Sequence, residues 1–218
     1  MSTLDGQIGI DESGKGDYFG SLVIAGVYVP RAQEEHLKML GVRDSKTLSD
    51  AKATTLAVQI RSQCSYSIVA IGPERYNALH SSMKNLNRML AWGHARAIEN
   101  LLEKVDCHRV VADQFGDERF LNNALMAKGR KVTLIQKPRA EEEVAVAAAS
   151  ILARAEFLRR LHELGTRYGV AFPKGASDAV IQAAKQLVQK HGAETLGQVA
   201  KLHFRTTQSV LSNIGSNG

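Results

Sequence analysis

Apolar positions in this chain fall in short runs separated by glycine-rich turns and by amphipathic stretches. Residues 7–11 and 20–29 read as two strands, the second spelled Gly20-Ser21-Leu22-Val23-Ile24-Ala25-Gly26-Val27-Tyr28-Val29. The segment between them makes a hairpin whose loop exceeds the two-residue minimum. Residues 32–40 read as a short helix, and Ser49 or Asp50 caps another that runs to residue 61. Ser65 to Ile71 is β-branched enough for a third strand, and a long helix follows from Asn85 to Lys104.

The second half alternates strand and helix. Arg109 to Ala112 and Lys131 to Gln136 are short apolar strands separated by a helix at residues 117–127, the pattern of parallel strands with a crossover. A strong helix starts at Glu141, with Val144, Ala148, Ile151, Ala155 and Leu158 on one face and Glu141-Glu142-Glu143 as its first turn. Carboxylates there are favoured by the helix dipole in any case. Ala147-Ala148-Ala149-Ser150 gives that helix a small-residue face suited to close packing on a sheet. Phe172-Pro173-Lys174-Gly175 breaks the chain before helices at residues 178–190 and 193–202, and the last few residues read as a loose tail. The expected fold is α/β: a mixed five-stranded sheet, three antiparallel strands then two parallel, flanked by helices. No composition shift marks a linker, so one domain spanning residues 1–218 is expected, its C-terminal helical part starting near residue 178.

Composition narrows the setting. At 218 residues, with 44% hydrophobic and 23% charged positions, the chain is ordinary for a globular protein with one sizeable core. No apolar run reaches the roughly 18–20 residues that span a bilayer. Met1-Ser2-Thr3-Leu4-Asp5 has neither a basic nor an apolar leader region, so no secretory signal is expected. Cys64 and Cys107 lack metal-site spacing and read as buried free thiols of a cytoplasmic protein. The net charge of +6 and pI near 9.4 favour a polyanionic partner. Much of the excess lies in Arg130-Lys131, Lys137-Pro138-Arg139, Arg159-Arg160 and Lys201 to Arg205.

The candidate chemistry sits where strands end. In Ile8-Gly9-Ile10-Asp11-Glu12-Ser13-Gly14-Lys15-Gly16-Asp17-Tyr18-Phe19-Gly20, two carboxylates terminate an apolar strand ahead of a glycine turn carrying a lysine. Charge at such a place must be paired or bound to a cation. A dinucleotide or P-loop site would need a helix directly after the glycines, whereas a strand follows. Asp113 repeats the pattern at the end of Val110-Val111-Ala112. Two carboxylates about 4 Å apart repel by roughly 4 kcal/mol at an effective dielectric near 20, so converging acids require a cation. Oxygen ligands without His or Cys point to Mg²⁺ or Mn²⁺.

The opening motif, Asp11-Glu12-Ser13-Gly14-Lys15-Gly16-Asp17-Tyr18-Phe19-Gly20, resembles that of the type 2 ribonuclease H superfamily, ribonuclease HIII in particular. Further matches follow in order along nearly the whole chain: Arg43-Asp44-Ser45-Lys46, Asn85-Leu86-Asn87, Val111-Ala112-Asp113, Ala145 to Arg154, Pro173-Lys174-Gly175-Ala176-Ser177 and Lys201-Leu202-His203-Phe204. The resemblance implies an RNase H-like fold and endonucleolytic cutting of the RNA strand of RNA/DNA hybrids by a monomer, leaving 5′-phosphate and 3′-hydroxyl ends. It assigns metal binding and catalysis to Asp11, Glu12 and Asp113. It places the fourth acid at Glu141, with Glu142 the alternative because the spacing to the Ala-Ala-Ser is one residue short.

By the same resemblance the Gly14-Lys15-Gly16 backbone approaches RNA 2′-hydroxyls, and Lys46, Lys174 and Arg205 contact phosphates. Ribonuclease HII carries a tyrosine where this chain has Ala176-Ser177, which implies weak excision of single ribonucleotides. Ribonuclease HIII proteins usually have an additional N-terminal substrate-binding domain, whereas only six residues precede the first expected strand. The other readings are excision at a single ribonucleotide in DNA and a non-catalytic hybrid-binding module.

Overall fold

The computed structural model describes residues 6–212. Its sheet has strand order β3-β2-β1-β4-β5, with β1 (Gly6–Ser13), β2 (Leu22–Pro30), β3 (Ser65–Ile71), β4 (Arg109–Asp113) and β5 (Thr133–Lys137). The first three are antiparallel neighbours, and β1-β4-β5 are parallel, as expected from the sequence. The helices are α1 (Glu34–Leu40), α2 (Asp50–Gln63), α3 (Pro73–Met83), α4 (Leu86–Leu102), α5 (Glu118–Ala124), α6 (Val144–Tyr168), α7 (Asp178–His191), α8 (Leu196–Val199) and α9 (Arg205–Ser212).

By contact density the described chain forms two compact units. The first comprises residues 6–13, Val23–Val69 and Asn85–Glu156; the second comprises Gly14–Leu22, Ala70–Lys84 and residues 157–212.

In the first unit, register sets the chemistry. Ile10 is the last β1 residue paired with β4, opposite Ala112, so Asp11 and Asp113 come side by side where the parallel ladder ends; Asp113 closes β4, whereas β1 runs two residues past Asp11, to Ser13, on its pairing with β2. Close packing brings α6 onto β1 at Gly9, where an added Cβ would lie 2.0 Å from the Ala145 carbonyl carbon and 2.2 Å from the Val146 nitrogen. A glycine facing an alanine run lets backbone approach backbone, and any larger residue at either place would push α6 away. α4 packs on the same sheet, with Gly26 opposite Leu101 and Gly93 against Ile24.

Several boundaries differ from the sequence reading. Glu141 to Glu143 are not the first turn of α6. Ala140–Glu142 form a separate 3₁₀ turn, Arg139 before it takes a left-handed φ of 54°, and α6 begins at Val144 after Glu143 accepts the Ala147 amide. The Ala140 amide instead donates to Asp113 Oδ1 at 3.1 Å, which anchors the turn to the end of β4. The helix expected at 193–202 is a 3₁₀ turn followed by the four-residue α8, because Ala200 is extended and bridges Phe19. α3 and α9 were not anticipated, while α5 and β5 occur with shifted ends. The expected tail lies outside the described residues, as does Met1 to Asp5. Cys64 and Cys107 are free and buried, as expected.

Candidate active site

In the first unit four acids lie within electrostatic reach of one another. Burial and then the neighbouring Glu12 push the Asp11 carboxyl up to about 8, with a smaller push from Asp113; hydrogen bonds from Ser150 and the Glu12 amide (2.8 Å) oppose the rise. Asp113 is also raised, first by burial and then by Glu141 and Glu12, against the stabilising Ala140 amide. Glu141 lies 3.7 Å from the exposed Lys46 ammonium. Partial burial works against charge on Lys46, but Glu141, Asp44, Asp11 and Asp113 together hold its pKa above the usual lysine value. Lys46 follows Ser45, whose hydroxyl meets that of Ser150 at 2.7 Å, so a short turn bonded to α6 carries the lysine.

Among the three consecutive glutamates the surroundings differ. Glu141 faces Lys46 and Asp113. Glu142 is exposed. Glu143 accepts from Lys137 Nζ at 2.8 Å and Gln7 Nε2 at 3.0 Å, which holds its pKa below the ordinary value. The geometry therefore groups Glu141, and not its neighbours, with Asp11, Glu12 and Asp113.

Two of these acids have a basic partner. His94 on α4 lies with Nε2 3.0 Å from Glu12 Oε2, and Lys46 attracts Glu141. Among the described residues, no three His, Cys, Asp or Glu side chains have their donor atoms gathered for one shared ion. The acids are close enough to perturb one another's ionisation. The donor set, carboxylate oxygens without thiolate, fits a hard divalent cation.

In the second unit the turn after β1 is held from several sides. Asp17 Oδ1 accepts the Gly175 amide at 2.6 Å, and the Tyr18 amide donates to the Gly175 carbonyl at 2.9 Å. The Gly14-Lys15-Gly16 turn and Lys174-Gly175 thus belong to one bonded assembly. Lys174 and Arg205, the latter opening α9, are exposed. Lys201, part of the basic run in the sequence, is no surface cation: it is fully buried.

The sequence profile described as Ribonuclease HII matches residues 8–207. The chain belongs to the ribonuclease HII family. Within the family its relatives include Ribonuclease HIII of Protochlamydia amoebophila, 48% identical over 212 residues that cover 97% of this chain and 70% of that protein. Ribonuclease HIII of Chlamydia trachomatis is 45% identical over 213 residues, 96% of this chain and 71% of its own. The solved structure of Bst-RNase HIII in complex with Mn²⁺ superposes with a TM-score of 0.90 at 31% identity, over 99% of this chain and 72% of that one.

Two further residues touch the acids. His94 is fully buried, touches Glu12, and sets its ring edge-on to Phe115 at 4.8 Å. Its signal was a polar residue on the buried face of an amphipathic helix, between Gly93 and Ala95, both of them buried. Ser150 stands in the sequence as part of the small-residue face and of the Ala145–Arg154 motif, without an assigned role, and its hydroxyl bonds both Ser45 and Asp11.

Proposed function

We propose that this chain is a divalent-metal-dependent endoribonuclease that hydrolyses the RNA strand of RNA/DNA hybrids. The observation that carries it is Asp11: a carboxyl within an apolar strand, beside Asp113 where the β1–β4 ladder ends, held up to about 8 by burial, Glu12 and Asp113. Such a group is relieved by a proton or a bound cation, and Asp113 and Glu141 supply the further oxygens for the latter. Asp11, Glu12, Asp113 and Glu141 are assigned as the Mg²⁺ or Mn²⁺ ligands and catalytic groups. The chemistry such ions supply is neutralisation of phosphate charge and a coordinated water more acidic than bulk water.

The remaining roles belong to the chain's own residues. Lys46, close to Glu141, offers positive charge to the scissile strand. Gly14, Lys15 and Gly16 approach ribose 2′-hydroxyls, the groups that distinguish RNA from DNA. Lys174 and Arg205, both exposed, contact phosphates. Family membership and the Mn²⁺ complex of Bst-RNase HIII support this reading. Among the described residues no helix is long and apolar enough to cross a membrane. We place the enzyme in the cytoplasm, where two buried free thiols persist, and have it act as a monomer with a single catalytic domain.

The test is a Mg²⁺ or Mn²⁺ cleavage assay on a full hybrid beside a DNA duplex with one embedded ribonucleotide. Cleavage of the hybrid with 5′-phosphate and 3′-hydroxyl ends, and weak cutting of the second duplex, is expected. Preference for the embedded ribonucleotide would move the substrate to junctions. Binding without cleavage would make the chain a hybrid-binding module.

A further inference from the structure

Lys201 is the only lysine among the fully buried large side chains of the described residues, and it ends inside the turn that follows β1. Its Nζ donates to the Asp17 carbonyl at 2.7 Å and to the Gly20 carbonyl at 2.9 Å, with the Phe19 carbonyl at 3.5 Å. An ammonium has three protons and no acceptor, so these three carbonyls match its full donor set. The ring of Tyr76 lies 5.5 Å from Nζ and adds cation–π attraction. Burial lowers its pKa to about 8, against the attraction of Asp17.

Taking a cation out of water carries a penalty of several kcal/mol, and an apolar chain of equal length would fill the space without it. What the lysine adds is convergence on carbonyls that a tight turn turns inward and leaves without strand partners. The neighbouring backbone works on the same residues. The Lys201 amide donates to the Tyr18 carbonyl at 2.9 Å, the Gly20 amide donates to Val199 at 2.8 Å, and Phe19 bridges Ala200. Residues 17–20 are therefore pinned, while Gly16 just ahead of them is open, with no atom within 4 Å of an added Cβ.

We propose that Lys201 is a positioning residue for substrate recognition: its buried ammonium fixes the 17–20 half of the turn so that Gly14-Lys15-Gly16 is presented in one conformation to the ribose strand. It touches no substrate itself. This rests on the reading of the turn as the ribose contact given above, but the fixing of the turn is measurable without any nucleic acid.

The experiment compares wild type, Lys201→Met and Lys201→Gln by thermal unfolding, by hydrogen exchange of the residue 17–20 amides, and by hybrid cleavage kinetics. Lys201→Met is expected to fold and to melt somewhat below wild type, because the carbonyls of Asp17, Phe19 and Gly20 lose their donor, an effect offset in part by removal of a buried charge. The amides of Tyr18 to Gly20 should exchange about tenfold faster, KM for the hybrid should rise about tenfold, and kcat should stay within about twofold, the pattern of lost ground-state binding. Lys201→Gln, which restores part of the donor set, should fall between the two in both exchange and KM. Unchanged exchange in a folded Lys201→Met, or a fall in kcat at constant KM, overturns the proposal. So does a Lys201→Met that does not fold, since the lysine would then hold the second unit as a whole. Failure of wild type to cleave hybrids would instead remove the assigned activity, with the exchange result still deciding whether Lys201 fixes the turn.

Discussion

His94 Nε2 lies 3.0 Å from Glu12 Oε2, with the histidine fully buried and its Nδ1 left without a hydrogen-bond partner. The ring therefore makes one directional contact, and it is to an acid of the cluster. Glu12 has one carboxylate oxygen fixed from behind by α4, which orients the other.

This predicts a graded response at position 94. Gln places an amide nitrogen near where Nε2 sits, whereas Leu fills the space without a donor. Loss of an outer hydrogen bond to a ligating group weakens metal affinity by about 10–100-fold. His94→Leu should show that loss for Mn²⁺ in calorimetry without substrate, and His94→Gln should recover most of it. Equal Mn²⁺ affinity in all three proteins would show that the contact does not orient Glu12.

Asp11 gives a prediction with a definite sign. Its folded pKa of about 8 lies above the ordinary 3.8, so across that window the folded protein holds a proton that the unfolded chain has released. Stability of the metal-free protein attributable to this group is fully present below the window and is lost as pH rises through it. Asp11→Asn removes the titration and should abolish cleavage while leaving hybrid binding intact. Its melting temperature, equal to that of wild type near the low end of the window, should exceed it by about 3 °C or more near the high end. A constant difference across pH would contradict the raised carboxyl.

How much of this could be read beforehand depends on whether a residue broke its local pattern. Asp11 stands inside an apolar strand and Asp113 ends one, places that disfavour carboxylates, and the parallel pairing sets them side by side. Glu141 was harder, since three acids at a helix start are ordinary; the left-handed Arg139 and the bond from Ala140 to Asp113, which separate it from α6, have no sequence signature. The burial of His94 and Lys201 is hard to read for the opposite reason. A histidine in a helix and a lysine in a basic run fit their neighbours, and only tertiary packing buries them. α3 escaped because only Pro73 and Tyr76 of its eleven residues are buried, too few for a periodic stripe.

The two glycines of the turn separate folding from recognition. Gly14 has φ 87°, and an added Cβ would lie 2.2 Å from the Ser21 carbonyl oxygen. Gly14→Ala should therefore lose about 1–2 kcal/mol from the left-handed backbone alone, with the clash added, and melt earlier. Gly16 has neither constraint. Gly16→Ala should melt with wild type or slightly above it, yet its methyl group would stand between the backbone and a ribose 2′-hydroxyl. Hybrid affinity should drop while affinity for DNA duplex holds. Wild-type hybrid affinity in Gly16→Ala would remove the turn from recognition.

The fourth acid is decided by comparing Glu141→Gln with Glu142→Gln. Glu141 lies 3.7 Å from Lys46 Nζ and raises Asp113, whereas Glu142 is exposed. If Glu141 completes the metal shell, Glu141→Gln should lower kcat about 100-fold and weaken Mn²⁺ binding by a similar factor. Glu142→Gln should change each by no more than about twofold, as surface substitutions do. A second signature needs no turnover. Because Glu141 is part of what holds the Asp113 carboxyl above its ordinary value, carbon-detected NMR of the metal-free protein should show Asp113 titrating lower in Glu141→Gln and unmoved in Glu142→Gln. Were the kinetic order reversed while Asp113 still responded to residue 141, Glu141 would be a neighbour that tunes the site and Glu142 its ligand.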